Sequence, residues 1–225
     1  MKTICTITPL HSADIFIKAH FNMLRGVEKR VALIGTRPWP KYAQEHGITE
    51  GAKPEKILKK HFPDVEIKYT DSVIDSGNDM ADFYNQFLDI AKEFDYVTRF
   101  DTDMLFTKSD WMKMIAFVKT HDYDFYRMNF AKNSINYYYD FEHGLKDGLE
   151  ADVMIIKTNN RFSPILKPTG RNGCLLSWDG WMCHHFRGWN KPKSTGDINK
   201  PNKYLQDIKT KDWIKCPQEI REMFE

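Results

Sequence analysis

Cysteine is scarce in this 225-residue chain: Cys5, Cys174, Cys183 and Cys216 are too few and too scattered to build a disulfide framework. Cys174, Cys183, His184 and His185 are zinc-capable residue types, but no paired CxxC or HxxxH spacing joins them, which argues against a structural zinc site. Long apolar runs are missing as well. None approaches the ~20 residues of a membrane-spanning helix, and the alternating Thr3-Ile4-Cys5-Thr6-Ile7-Thr8 after Lys2 is not a signal peptide. The expectation is an intracellular, cytoplasmic protein without a transmembrane segment. Charge of one sign is not in surplus either: the formal net charge of +2 argues against nucleic acid as a partner.

Aromatic residues are plentiful, at 14% with six Trp, ten Tyr and fifteen Phe. Most should be core, and the surplus suits a site that stacks on bases or sugar rings. The hydrophobic and charged shares, 41% and 28%, are ordinary for a globular chain long enough to bury one sizeable core. No internal repeat and no strong domain boundary interrupts residues 1–225.

The first half alternates strand-like and helix-like segments. Residues 2–8 read as a strand ending at Pro9. Ser12 can cap a helix with Ile15/Phe16, Ala19 and Met23/Leu24 on one face, stopped by Gly26. Arg30–Gly35 is a nearly all-apolar strand, Pro54 opens a basic helix, and Val65–Tyr69 is a third strand. An amphipathic helix follows, marked by Met80, Phe83/Tyr84, Phe87/Leu88 and Ala91, and then a fourth strand, Asp95–Phe100. Such units imply an α/β fold: a mostly parallel sheet flanked by helices, with ligands bound beyond the carboxyl ends of the strands. After residue 108 the pattern loosens into a helix (Ser109–Lys119), an extended segment (Tyr123–Phe130), a Tyr/Asn-rich loop and a buried strand (Asp152–Ile156). Residues 163–176 carry Pro, Gly and Asn signals and read as loop.

Phe100-Asp101-Thr102-Asp103-Met104 sits where the fourth strand ends. In an extended chain residues i and i+2 share a side, so Asp101 and Asp103, with Thr102 between them, can bring two carboxylates to one divalent ion. Mn²⁺ or Mg²⁺ takes oxygen ligands and bridges to phosphate oxygens. The bare pattern is weak, because twenty aspartates in 225 positions predict about two Asp-x-Asp matches by chance. Two are present, and context separates them. Asp122-Tyr123-Asp124 opens a candidate strand and reads as a solvated turn, whereas Asp101–Asp103 closes a parallel strand where a ligand site is expected.

A second signature lies near the carboxyl end. His185-Phe186-Arg187-Gly188-Trp189-Asn190-Lys191-Pro192 resembles the His-x-x-Gly-x-x-Lys-Pro segment of the glycogenin and lipopolysaccharide galactosyltransferase family, which has the GT-A (Rossmann-like) fold. In that family the histidine is the third protein ligand to the metal, and the glycine and lysine lie against the donor diphosphate. The resemblance therefore implies His185 as a ligand beside Asp101 and Asp103, with Gly188 and Lys191 on the diphosphate. It also implies a UDP-sugar donor, Mn²⁺ or Mg²⁺ as cofactor, and hexosyl transfer with retention to a glycan or other hydroxyl acceptor. The residue chemistry is coherent: a neutral imidazole completes a two-carboxylate site, Gly admits backbone to phosphate, and Lys supplies a compact positive charge.

Glu150-Ala151-Asp152-Val153-Met154-Ile155-Ile156 is similar to the family's Gly-Val-Met segment near the donor sugar, with Asp152 in place of the glycine. In GT-A enzymes the end of the first strand holds the nucleoside, which makes Thr8 and Pro9 candidate contacts; turn chemistry explains them equally. Arg99 either faces the pocket or pairs with Asp95. Asp179, between Trp178 and Trp181, is the first candidate for chemistry on the acceptor side, and its alternative is the N-cap of a helix carrying Trp181–His185. Glu150 and Asp152 are the competing carboxylates. An inverting enzyme would use one of the three as base; a retaining one would use it to steady the donor sugar. The resulting expectation is one GT-A domain over 1–225, with a nucleotide-binding half (1–108) and a smaller, mixed acceptor-side half with the metal and diphosphate segment (109–225).

Two other functions fit parts of the pattern. A sugar-phosphate nucleotidyltransferase would share the sheet and the metal, but it would carry a Gly-rich loop after the first strand, and residues 8–14 contain no glycine. A non-catalytic glycan-binding module would explain the Trp and Tyr residues, but not an acidic pair joined to HxxGxxKP.

Overall fold

The apolar runs of the amino-terminal half become strands buried on both faces. A computed structural model describes residues 1–10, 16–36, 54–72, 77–128, 134–136, 152–164, 167–176, 183–185 and 216–223. In chain order its elements are β1 (Ile4–Leu10), α1 (Ile17–Met23), β2 (Lys29–Gly35), α2 (Glu55–His61), β3 (Glu66–Thr70), α3 (Gly77–Ile90), β4 (Tyr96–Arg99) and β5 (Met104–Phe106). They continue with α4 (Lys108–Thr120), β6 (Phe125–Met128), β7 (Ser134–Asn136), β8 (Asp152–Lys157), β9 (Gly173–Leu176), β10 (Cys183–His185) and α5 (Gln218–Glu222).

Seven strands form one sheet in the order β3-β2-β1-β4-β8-β6-β9, and β5-β10-β7 form a second, small one. In the large sheet β1, β2, β3 and β4 are mutually parallel, β8 runs antiparallel between β4 and β6, and β9 is parallel to β6. The period-two alternation of each strand splits the core. Ile4, Leu10, Ala32, Ile34 and Tyr96 pack on one face with residues of α1 and α4; Cys5, Ile7, Val31, Leu33 and Val97 pack on the other with residues of α3. Each fully buried aliphatic side chain contributes about 1.5–3 kcal/mol, so helices on both faces are what make the sheet's burial possible. No helix among the described residues is long and apolar enough to cross a membrane.

Local chemistry explains some of the boundaries. Gly26 adopts φ +73°, the left-handed conformation that turns the chain after α1. Thr107 caps α4 by accepting from the Asp110 N–H at 3.2 Å. At the same helix end the Glu219 carboxylate accepts from the Lys108 N–H at 2.6 Å, docking α5 against the body with Cys216 and Ile220 buried.

The structure departs from the sequence reading at several places, among them the short strands β5 and β7, which were not expected. Strand β1 continues through Pro9 to Leu10, pairing Pro9 with Leu33 of β2. Its ladder to β4 stops at Ile7, so on that side the proline ring has no ladder bond to break. Residues 173–176, read as loop, are strand β9, recruited by parallel pairing with β6. A Cβ at Gly173 would come within 2.2 Å of the Phe125 ring, so the residue that signalled a loop is the one that lets the ring lie across the strand. Finally, a helix carrying Trp181–His185 is excluded, because residues 183–185 are strand β10.

Candidate functional site

The strand order reverses at β1. From it β2 and β3 extend to one side and β4 to the other, and open α/β sheets bind ligands at the carboxyl ends of strands beside such a switch point. Thr8, Pro9 and Leu10 end β1 at this edge; Arg99 ends β4, and Asp101 and Asp103 follow it directly.

The acidic turn is held from below. The Met104 N–H donates to the Asp101 carbonyl at 3.0 Å, closing a tight turn between β4 and β5. Phe100 before the turn and Phe106 after it are both buried, with ring centroids 5.4 Å apart. Both rings also contact Trp111 of α4, whose indole N–H donates to the Arg25 carbonyl at 2.6 Å. Such aromatic contacts add about 0.5–1.5 kcal/mol each beyond their buried area, enough to fix where the turn emerges. Of the turn itself, Asp101 is exposed, Thr102 buried and Asp103 half-buried.

The small sheet brings His185, the first residue of the second signature, to this turn. Strand β10 pairs antiparallel with β5, with Cys183 opposite Phe106, His184 opposite Leu105 and His185 opposite Met104. The backbone of His185 therefore lies across from Met104, the residue that follows Asp103, although the two are 81 positions apart. The side chains of this region interact: burial, reinforced by the negative charge of Asp103, pushes the Cys183 thiol well above its ordinary range. His184 is buried on β10, and burial pushes its pKa down to about 4 against the pull of Asp110.

His20 of α1 is a component that the sequence reading missed. It is fully buried, and its Nε2 lies 3.0 Å from the Thr8 hydroxyl. Its Nδ1 has no hydrogen-bond partner among the described residues. Burial pushes its pKa down to about 3, although the nearby Met104 backbone favours the charged ring. A neutral imidazole thus braces the end of β1, close to the Met104 backbone that follows the acidic turn. The available signal was a histidine on the otherwise apolar face formed by Phe16, Ala19 and Met23. The Thr8 hydroxyl is engaged inward by this contact, with Thr8 only 1% exposed. Pro9 is half-buried at the same strand end.

The Arg99 guanidinium stacks over the Tyr84 ring of α3 at 4.0 Å. Asp95, its alternative partner, accepts instead from the Thr3 N–H at 2.7 Å and the Thr3 hydroxyl at 2.9 Å. Asp152 opens β8 opposite Met128, and for Asp152 and His185 the backbone alone is described. Glu150, Asp179, Gly188 and Lys191 lie outside the described residues. Among the described residues no group of three or more metal-capable side chains comes together. All four cysteines are free thiols; Cys174 on β9 and Cys183 on β10 belong to different sheets.

No family model matches the chain, and no curated protein matches it in sequence. Solved structures do. TarS 1–349 of S. aureus in complex with UDP-GlcNAc superposes with a TM-score of 0.52 at 12% identity, covering 92% of this chain and 64% of that one. A second structure of S. aureus TarS 1–349 gives 0.50 at 11%, covering 99% of this chain and 77% of that one. A longer S. aureus TarS structure gives 0.50 at 13%, covering 84% of this chain and 37% of that one. The present chain thus spans little more than a third of the longer TarS chain. At these identities the likeness is one of fold, and the fold is the α/β, Rossmann-like GT-A type.

Proposed function

We propose that this protein is a metal-dependent glycosyltransferase that moves a sugar from a nucleoside diphosphate, UDP for preference, to a hydroxyl acceptor such as a glycan. One observation supports the reading: in the β5–β10 ladder the His185 backbone is opposite Met104, the residue that follows the Asp101–Asp103 turn, at the switch point of a GT-A sheet. The neighbouring structure that binds UDP-GlcNAc supports the donor class.

Asp101, Asp103 and His185 would hold a divalent ion, Mn²⁺ or Mg²⁺. The donor set fits, since two carboxylates and an imidazole suit such ions, and the charge of Asp103 already reaches β10 at Cys183. When bound, the ion neutralises charge developing on the departing nucleoside diphosphate. The chain's own residues supply the remainder. The ends of β1 and β4 form the crevice for the nucleoside, where Pro9 and the strand backbone remain available while the Thr8 hydroxyl holds His20. Thr102, buried between the carboxylates, anchors the turn. Arg99, steadied by Tyr84, adds positive charge at the end of β4. Gly188 and Lys191 take the diphosphate, as the glycogenin-like resemblance implies. Asp179 is the carboxylate proposed for the transfer centre, ahead of Asp152 and Glu150. With the helix excluded at residues 183–185, six extended residues let it lie anywhere within about 20 Å of His185. Retention, as the resemblance implies, assigns it to steadying the donor sugar.

Melting of the wild-type protein tests the reading. UDP with Mn²⁺ should raise the melting temperature, UDP with EDTA should raise it much less, and free sugar should not raise it. A response to sugar alone would instead mark a glycan-binding module.

A further inference from the structure

We infer that Arg127 is an anion-binding residue of the acceptor subsite, which takes a phosphate or carboxylate group carried by the acceptor. Arg127 lies near the carboxyl end of β6 and is half-buried. Its Nε is sealed from solvent without a hydrogen-bond partner, and among the described residues it forms no ion pair. Other arginines of the fold are matched to carboxylates, Arg30 to Asp64 and Arg161 to Asp89. A guanidinium cannot shed its proton to relieve burial, so partial desolvation without a counter-charge is a cost that a bound anion removes.

The placement is built into the fold. The Phe125 ring backs the guanidinium at 5.1 Å. That ring is seated against Gly173 of β9, where a Cβ would meet it at 2.2–2.3 Å. Phe125 and Tyr84 pack in the same cluster, so Arg127 and Arg99 lie on one face of the sheet. Strand β6 runs in the same direction as β4 with β8 between them, so Arg127 opens on the same edge as the acidic turn. Two strand spacings, about 10 Å, separate it from β4. Passing from β4 across β8 to β6 leads away from the nucleoside place proposed at the ends of β1 and β4, and the acceptor is assigned to that side. Assigning the anion to the acceptor rests on the proposed function; anion binding at Arg127 does not.

The experiment titrates inorganic phosphate and, separately, acetate into the full chain, with UDP and Mg²⁺ saturating so that any diphosphate place is filled. Binding is followed by melting-temperature shift for wild type, Arg127→Gln and Arg127→Lys. The expected result is that Arg127→Gln weakens anion binding by about tenfold or more, Arg127→Lys by less, and neither changes UDP affinity. Preference for phosphate assigns a phosphorylated acceptor, and preference for acetate a carboxylated one. Arg127→Gln binding either anion as wild type does, or a wild type that binds neither, overturns the proposal. If UDP fails to bind while anion binding still depends on Arg127, the anion site stands and the transferase reading falls.

Discussion

Asp101–Asp103 and Asp122–Asp124 are the same tripeptide pattern at opposite edges of one sheet. Asp122-Tyr123-Asp124 precedes β6 and so lies at the edge where β1 begins. There Lys2 bonds Asp122 at 2.7 Å and Lys157 reaches it at 3.1 Å. The Asp124 carboxylate accepts from the Arg171 and Asn172 N–H groups, each at 3.0 Å. Both carboxyls are held below their ordinary range, Asp122 by the hydrogen bonds from Lys2 and Lys157 and Asp124 chiefly by the Asn172 amide. These aspartates tie the start of the chain, the end of β8 and a loop together. Asp101 and Asp103 emerge beyond β4, on a turn fixed by Phe100, Phe106 and Trp111. What separates the pairs is the strand end they adjoin: Asp101–Asp103 follows the carboxyl end of β4 beside a switch point, where open α/β sheets bind ligands, and Asp122–Asp124 precedes the amino end of the parallel strand β6.

The sharpest way to break this comparison is to neutralise one carboxylate at each edge. Asp103→Asn should remove Mn²⁺-dependent UDP affinity, by about a hundredfold or more, with the fold intact by circular dichroism. Unchanged metal-dependent affinity would remove the metal assignment. Asp179→Asn should lower turnover by about a hundredfold while UDP affinity stays near wild type, a pattern that calorimetry and initial rates together resolve. Near-normal turnover would pass the role to Asp152 or Glu150. At the other edge, Asp124→Ala should leave UDP binding alone and cost about 1–2 kcal/mol of stability in chemical denaturation, because two loop amides lose their acceptor. A loss of UDP affinity there would erase the distinction between the edges.

The smallest effect concerns acid. Asp122 has its pKa lowered to about 2 from an ordinary 3.8, chiefly by the Lys2 hydrogen bond. A carboxyl depressed in the folded state stabilises above its unfolded value, and that contribution is lost as pH falls through the folded one. The melting temperature of Asp122→Asn should therefore fall less steeply than that of wild type between about pH 4 and pH 2. Parallel slopes would mean that the exposed Lys2–Asp122 pair contributes nothing measurable.

The elements of the first half were legible because their signals are local. Val31–Ile34 and Tyr96–Val97 are short apolar runs that suit strands buried on both faces, and Met80 to Ala91 repeats at helical spacing. Strands β9 and β10 were not legible. Gly173-Cys174-Leu175-Leu176 carries a loop signal, and Cys183-His184-His185 is too short to have a period; each becomes a strand because a distant partner offers it a ladder.

The sequence by itself determined the alternating α/β order, the end of the fourth strand to within one residue (read at Phe100, found at Arg99) and the presence of two acidic pairs. Tertiary structure decided which distant segments meet: the β10 register beside Met104, the His20 ring beneath Thr8 and the seat of Phe125 on Gly173. The physical reason is range. Propensity and periodicity act over a few neighbouring residues, whereas ladder bonds and burial join segments that only the closed sheet brings together.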